Sequence, residues 1–150
     1  HKFKSWNLYS MNSYWYKSCL IMTPLAVTAQ VVPDNTMGSQ VIQNIQINNV
    51  LSDRIDAGQQ RGNNLFHSFS EFNINSGRGI YFTNPTNVTN IFTRVTGTNA
   101  SNLNGVLSVL GNANLFLMNP NGVVFGTGAK LDVKASFVGT TANSLKSPLK

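Results

Sequence analysis

One short stretch combines residue types that shape a turn and offer side-chain amides; residues 113–126 read ANLFLMNPNGVVFG. The ring of Pro120 fixes its own φ at about −65°, and the side chain of the preceding Asn119 can hydrogen-bond the backbone that follows it. Asn121 and Gly122 form the pair that best tolerates positive φ. The pattern predicts a strand, a tight turn and a second strand, and the chemistry it offers is hydrogen bonding by amides.

Other residue types that could do chemistry are present but are not arranged for it. His67 is the only histidine after residue 29, and no cysteine or carboxylate stands at ligand spacing from it, so metal binding is unsupported. Gly77-Arg78-Gly79 and Gly126-Thr127-Gly128 lack the strand-to-helix context of a phosphate loop. The sequence predicts no enzyme, no cofactor and no metal site, because nothing pairs the scattered acids as acid and base: Asp53, Asp56, Glu71 and Asp132.

Composition limits the class of protein and its partners. The 150 residues fit one domain, and the charged fraction of 11% is well below the roughly 25% of typical soluble domains. Asparagine fills about one position in seven, and uncharged polar residues suit turns and exposed sheet faces. Three lysines before residue 30 supply half of the net charge of +6, and the rest is spread without a basic cluster. Nucleic-acid binding is therefore not predicted.

Residues 1–29 look like a secretory signal peptide. A basic, aromatic start leads into an apolar run from Cys19 to Ala29, and Val27 and Ala29 place small side chains where a signal peptidase reads them. The run is too short to span a bilayer. We predict cleavage between Ala29 and Gln30, which would remove the only cysteine and leave no disulfide. A buried strand or short helix is the alternative interpretation.

The remaining chain is predicted to be all-β. From Ser39 the stretch SQVIQNIQINNVLS alternates apolar and polar residues, and short apolar runs closed by Gly or Asn follow at 79–84, 89–97, 104–111, 114–119, 122–126, 129–135 and 136–142. No stretch shows helical spacing. A sandwich, a barrel or a solenoid could follow; such short, closely spaced strands favour a solenoid, although no exact repeat is present.

Several motifs in a fixed order carry a family resemblance. RGNNLFHSFSEFNI (61–74), IFTRVTG (91–97), NLFLMNPNGVVFG and AKLDVKASFVGTTA resemble the secretion domain of filamentous haemagglutinin-type exoproteins, the secreted partners of two-partner secretion systems in Gram-negative bacteria. The residues of these motifs are most similar to those of cyanobacterial members. The resemblance covers residues 30–146 and implies a right-handed parallel β-helix with an N-terminal cap and small extra-helical strands. It leaves 147–150 as the start of a truncated downstream region.

The resemblance also implies a function. Such a domain is the label by which a dedicated outer-membrane β-barrel transporter recognises a long exoprotein through its periplasmic domains, and it nucleates β-helix folding outside the cell, so the product is secreted or surface-bound. The secretion motif then maps onto Asn119, Pro120, Asn121 and Gly122; a second family signature has only Asn84-Pro85-Thr86-Asn87 as its nearest string. Six residues are interpreted as a cap cluster rather than a ligand site: Asn64, Leu65, Phe66, His67, Phe69 and Phe72.

Two alternatives to this function stay open. One is an adhesive module that binds cell-surface or glycan ligands, although in the family such activity generally belongs to downstream repeats. The other is a β-helical carbohydrate-active enzyme, which would be expected to bring carboxylates, or arginine with lysine, together on one face.

Overall fold

A computed structural model of the chain describes residues 29–143, and every helix-or-strand element in this range is a β-strand. The thirteen strands are β1 (Val31–Pro33), β2 (Ser39–Ile47), β3 (Val50–Ala57), β4 (Gln59–Arg61), β5 (Asn64–Phe72), β6 (Gly79–Thr83), β7 (Asn90–Val95), β8 (Ser101–Leu103), β9 (Val106–Leu110), β10 (Asn114–Met118), β11 (Val123–Phe125), β12 (Lys130–Asp132) and β13 (Phe137–Thr140).

The strands form a β-solenoid of about four turns, in which each coil stacks on the one before. One face is the parallel series β5-β7-β10-β13, a second is β3-β6-β9-β12, and a short third face pairs β8 with β11. Successive coils are closed by polar turns, which is why short strands separated by Gly and Asn can build a continuous core. The predicted all-β solenoid is confirmed.

The N-terminal end of the solenoid is covered, whereas the C-terminal end is open. At the first coil the strand pairs are antiparallel: β1 and β4 lie on β5, and β2 lies on β3. Within residues 29–143, the strands β11, β12 and β13 of the last coil each pair on one side, and large apolar side chains are exposed there: Val124, Phe125, Leu131 and Val138. In the described part of the chain, the last coil therefore offers an apolar surface on which a further coil could stack.

Alternation along β7 and β10 sends every second residue into the core. On the face β5-β7-β10-β13, Leu65, Ile91, Leu115 and Phe137 share one register position, and the first three are at most 2% exposed. Outward positions form matching rows. The rings of Phe66, Phe92 and Phe116 stack with centroids 5.3 and 4.7 Å apart. The amides of Asn64, Asn90 and Asn114 form a ladder of hydrogen bonds of 3.1 and 3.0 Å.

The strand predictions hold for the later coils but miss a hairpin near the start. The seven short runs predicted between 79 and 142 correspond to β6, β7, β9, β10, β11, β12 and β13. The stretch 39–52, however, is not one strand, because Asn48 and Asn49 take positive φ of 50° and 64° and turn the chain between β2 and β3. Two consecutive residues with positive φ form the hairpin turn whose twist matches that of the strands it joins.

Candidate functional site

The NPNG stretch forms a corner of the solenoid rather than a hairpin. It follows β10 on one face and leads into β11 on another, so consecutive strands around the turn do not pair with each other. The backbone N–H of Gly122 donates to the carbonyl of Asn119 at 3.0 Å, which closes a four-residue turn. The predicted order of strand, turn and strand is confirmed.

Asn119 lies inside this corner. Its side chain is 0% exposed, because residues 115, 117 and 119 continue the inward row of β10. The amide nitrogen donates to the carbonyl of Asn99 and to Oγ of Ser101, both at 3.0 Å. The amide oxygen accepts from the backbone N–H of Asn121 at 3.0 Å. A buried amide with both ends hydrogen-bonded holds the corner to the preceding coil.

Pro120 and Asn121 form the outer surface of the corner, and both are exposed. The side-chain nitrogen of Asn121 donates to the carbonyl of Gly97 at 2.8 Å and contacts Oδ1 of Asn119 at 3.2 Å. Gly122 has a φ of 120°, as its place in the sequence predicted, whereas Asn121 does not have positive φ. Asn121 therefore contributes through its amide and not through an unusual backbone conformation.

The acceptors for these amides lie in the preceding coil, in the loop after β7 and at the first residue of β8. Gly97, Asn99 and Ser101 supply two carbonyls and a hydroxyl, and the N–H of Ser101 donates back to the carbonyl of Gly122 at 3.0 Å. These three residues were not predicted to belong to the corner, because nothing in their local sequence indicates a contact with residues 119–122. Asn119 itself could have been assigned to the interior from the alternation of Leu115 and Leu117.

A second Asn-Pro corner stands at Asn84, after β6. Its amide nitrogen donates to the carbonyls of Pro85 and Val88 at 3.1 and 3.0 Å, and its amide oxygen accepts the N–H of Ala113 in the next coil at 2.8 Å. Asn87 in the same turn has a φ of 68°. The string 84–87 therefore builds a corner with the same kind of amide bridge as the NPNG stretch, but on another face.

The residues interpreted as a cap cluster all lie on β5, the first strand of its parallel face. Leu65, His67, Phe69 and Phe72 are buried in the core, at most 2% exposed. The side chains of Asn64 and Phe66 face outward, where they begin the amide ladder and the ring stack described above. The two antiparallel strands β1 and β4 cover the other edge of β5.

His67 is enclosed by apolar rings. Its Nδ1 lies 2.9 Å from Oγ of Ser39, and its ring contacts Phe69 and Phe82 with centroid distances of 6.1 and 5.5 Å. Within residues 29–143 its buried Nε2 has no hydrogen-bond partner. Burial lowers the pKa of His67 to about 4, and the negative charge of Asp56, which raises this pKa, has a smaller effect.

Folding stability is expected to fall as the pH is lowered from 6.5 to 4.5. Unfolded His67 binds a proton near pH 6.5 and folded His67 only near pH 4, so acid favours the unfolded state by about 2–3 kcal/mol at pH 4.5. Lowered pKa values at Asp34 and Asp56 cause their own losses at still lower pH. Urea unfolding at pH 7 and 4.5 measures the difference, and His67→Leu should show a smaller one. Equal pH dependence in both proteins would contradict this assignment.

The predicted cleavage point lies at the edge of the described fold. Gln30 is 4% exposed, and its side-chain nitrogen donates to Asp53 at 3.1 Å while its side-chain oxygen accepts the N–H of Asn75 at 2.7 Å. Asp53, which is 2% exposed, also pairs with Arg78 at 3.0 Å. The residue after the predicted cleavage point is therefore part of the fold. Residues 1–28 lie outside the described part of the chain.

Within residues 29–143, no three histidine, cysteine, aspartate or glutamate side chains are grouped closely enough to hold a metal ion. The same range contains no helix long and apolar enough to cross a membrane.

A comparison with known protein families finds a match that covers the residues that form the solenoid. The family model described as the TPS secretion domain matches residues 29–149, which includes all the described strands. No curated protein matches the chain.

Proposed function

The chain belongs to the TPS secretion domain family, and on that premise we propose that residues 30–146 are recognised in the periplasm by the periplasmic domains of a dedicated outer-membrane transporter. The family's role is secretion targeting of the substrate in a two-partner system, across the outer membrane of Gram-negative bacteria. The observation that carries the proposal is the match over residues 29–149. Recognition by the transporter and nucleation of folding are the steps that we add.

Within the NPNG corner we propose a division of roles. Asn119 is structural, because it is fully buried and both ends of its amide are hydrogen-bonded inside the corner. Pro120 and Asn121 are exposed, so a partner can contact the proline ring and the outward side of the asparagine. We propose that the transporter contacts this pair, while Gly122 allows the turn to form.

We further propose that the domain templates the growth of the solenoid in one direction. Antiparallel strands cover the first coil, whereas β11, β12 and β13 in the last coil have no partner on one side among residues 29–143. Phe125 and Leu131 share register positions with Leu103 and Leu107, which are 1% exposed, yet they are themselves 46% exposed. A following coil would bury them, and burial of apolar surface would favour its folding onto this end.

Processing between Ala29 and Gln30 is compatible with the fold. The side-chain contacts of Gln30 with Asp53 and Asn75 involve no residue that precedes it. We propose that residues 1–29 act as the signal peptide and that 147–150 begin a downstream region. The adhesive activity and any glycan ligand would then belong to that region.

The transporter contact is tested with two matched substitutions, Asn121→Asp and Asn84→Asp. Each replaces an amide nitrogen that lies within 3.0 Å of a backbone carbonyl by a carboxylate oxygen, which should cost about 1–3 kcal/mol of folding free energy at either corner. With the transporter co-expressed, we expect Asn121→Asp to accumulate in the periplasm several-fold more than Asn84→Asp. Secreted fraction and melting temperature are measured for both variants.

The predicted cleavage is checked on the same material. Mass spectrometry of the secreted chain is expected to show Gln30 as its N-terminal residue.

Pro120→Ala serves as a third variant, because the Pro120 ring is exposed and its loss should cost less than about 1 kcal/mol. If all three variants fall on one curve of secretion against melting temperature, the corner is only structural and the proposed contact is wrong. Secretion below that curve for Pro120→Ala and Asn121→Asp alone would support the contact.

A further inference from the structure

The chain contains two Asn-Gly bonds, Asn104–Gly105 and Asn121–Gly122, and the second lies in the corner described above. Asparagine is among the chemically labile residues. When glycine follows it, the backbone nitrogen of the glycine can approach the side-chain Cγ with little steric hindrance. A bond forms between that nitrogen and Cγ, ammonia leaves, and water then opens the resulting succinimide ring at either carbonyl. The products are aspartate and isoaspartate.

The folded corner holds both reacting groups of Asn121–Gly122 in place. The attacking nitrogen, that of Gly122, donates its proton to the carbonyl of Asn119 at 3.0 Å. The leaving group, the side-chain nitrogen of Asn121, donates to Gly97 at 2.8 Å and contacts Oδ1 of Asn119 at 3.2 Å. The backbone N–H of Asn121 is bound to the same oxygen at 3.0 Å. Attack requires the side chain to leave these partners, so the corner must open first.

We propose that Asn121–Gly122 is a site of spontaneous deamidation that folding shields, so that a chain kept unfolded is converted in part to an isoaspartate form that cannot rebuild the corner. Aspartate at 121 would place a carboxylate oxygen against the carbonyl of Gly97. Isoaspartate would add a methylene group to the main chain immediately before β11, whose register with β8 joins Val123 to Ser101. Isoaspartate therefore breaks the link between the two coils, whereas aspartate weakens it by the loss of one hydrogen bond. This inference does not depend on the transporter.

The consequence is a time limit on the unfolded state. Because the reaction is intramolecular and needs only water, it proceeds in any compartment in which the chain remains unfolded. Folding stops the reaction by lowering the population of open corners, since the rate in the native state is the open fraction multiplied by the rate in the unfolded chain.

The test compares the full chain in native buffer and in concentrated urea, at the same mildly alkaline pH and temperature, by peptide mass spectrometry that separates aspartate from isoaspartate. We expect deamidation at Asn121 to be at least about tenfold slower in the native chain. The urea-treated chain, fractionated by its state at residue 121, is then refolded. We expect the unmodified fraction to recover its melting temperature and the isoaspartate fraction not to recover it.

A variant that loosens the corner gives an independent readout. Ser101→Ala removes one acceptor of the Asn119 amide, so the corner should open more often. Native deamidation at Asn121 is expected to rise several-fold in this variant, while Asn104 serves as the internal reference. Equal rates at Asn121 in native buffer and urea would overturn the proposal. Full recovery of the melting temperature by the isoaspartate form would overturn it as well.

Discussion

Replacing Asn119 by leucine is expected to destabilise the folded chain by about 3–5 kcal/mol, because it leaves the buried hydroxyl of Ser101 and two partly buried backbone groups without their partner and places a larger side chain in the corner. Leucine has the branching of asparagine but larger end groups, so the substitution leaves no cavity, and the loss comes from hydrogen bonding and from overpacking. The carbonyl of Asn99 and the hydroxyl of Ser101 lose the amide nitrogen that lies 3.0 Å from each, and the N–H of Asn121 loses its acceptor. Urea unfolding followed by circular dichroism gives the free energy of unfolding.

The matched control is Asn112→Leu, at an exposed asparagine in the turn before β10. Surface substitutions of this kind usually change stability by no more than about 0.5 kcal/mol. The comparison separates the chemistry of the substitution from its place in the fold. A loss below about 1 kcal/mol at Asn119 would show that the corner does not depend on its amide.

Gly97→Ala is expected to destabilise the chain by about 3 kcal/mol or more, because a side chain at this position meets the backbone of the preceding coil. A Cβ atom added to Gly97 would lie 2.1 Å from the carbonyl oxygen of Ser70. Main-chain atoms cannot turn aside as the end of a flexible side chain can. The coils must separate at this corner, and the same shift moves the carbonyl that accepts the amide of Asn121.

Gly139→Ala provides the control for the alanine substitution. Its added Cβ would lie 3.3 Å from the nearest atom, which belongs to the ring of Phe137 in the open last coil, so a small shift of the ring relieves the contact. We expect a melting temperature close to that of the unsubstituted chain for Gly139→Ala, and a large decrease for Gly97→Ala. A similar small change in both would mean that the coils are less closely packed at Gly97 than the structure shows.

Local pattern alone was enough to predict much of the fold. Period-two alternation and closing Gly or Asn residues indicated the strands from β6 onward, apart from β8, which is only three residues long with a polar residue at its centre. The hairpin at Asn48 and Asn49 was missed, although two polar residues in succession between Ile47 and Val50 interrupt the alternation at this point. Asn48 and Asn49 adopt positive φ because the chain reverses there to pair β2 with β3.

The stacking of coils was harder to predict, because the coils differ in length. The ladder from Asn64 through Asn90 and Asn114 to Ser136 advances by 26, then 24, then 22 residues. No fixed period connects these positions, so a search for exact repeats does not find them. The matching rows of phenylalanine and asparagine depend on the register that the packed coils adopt.

The sequence by itself therefore determined the all-β class, the turn after β10 and the positive φ of Gly122, because each depends on the conformational preferences of neighbouring residues. The tertiary structure alone decided that the amides of the NPNG corner bind the preceding coil. Gly97, Asn99 and Ser101 lie about twenty residues earlier in the chain and approach the corner only when the two coils stack in register. Contacts between distant residues depend on that register, and the burial of the whole core fixes it.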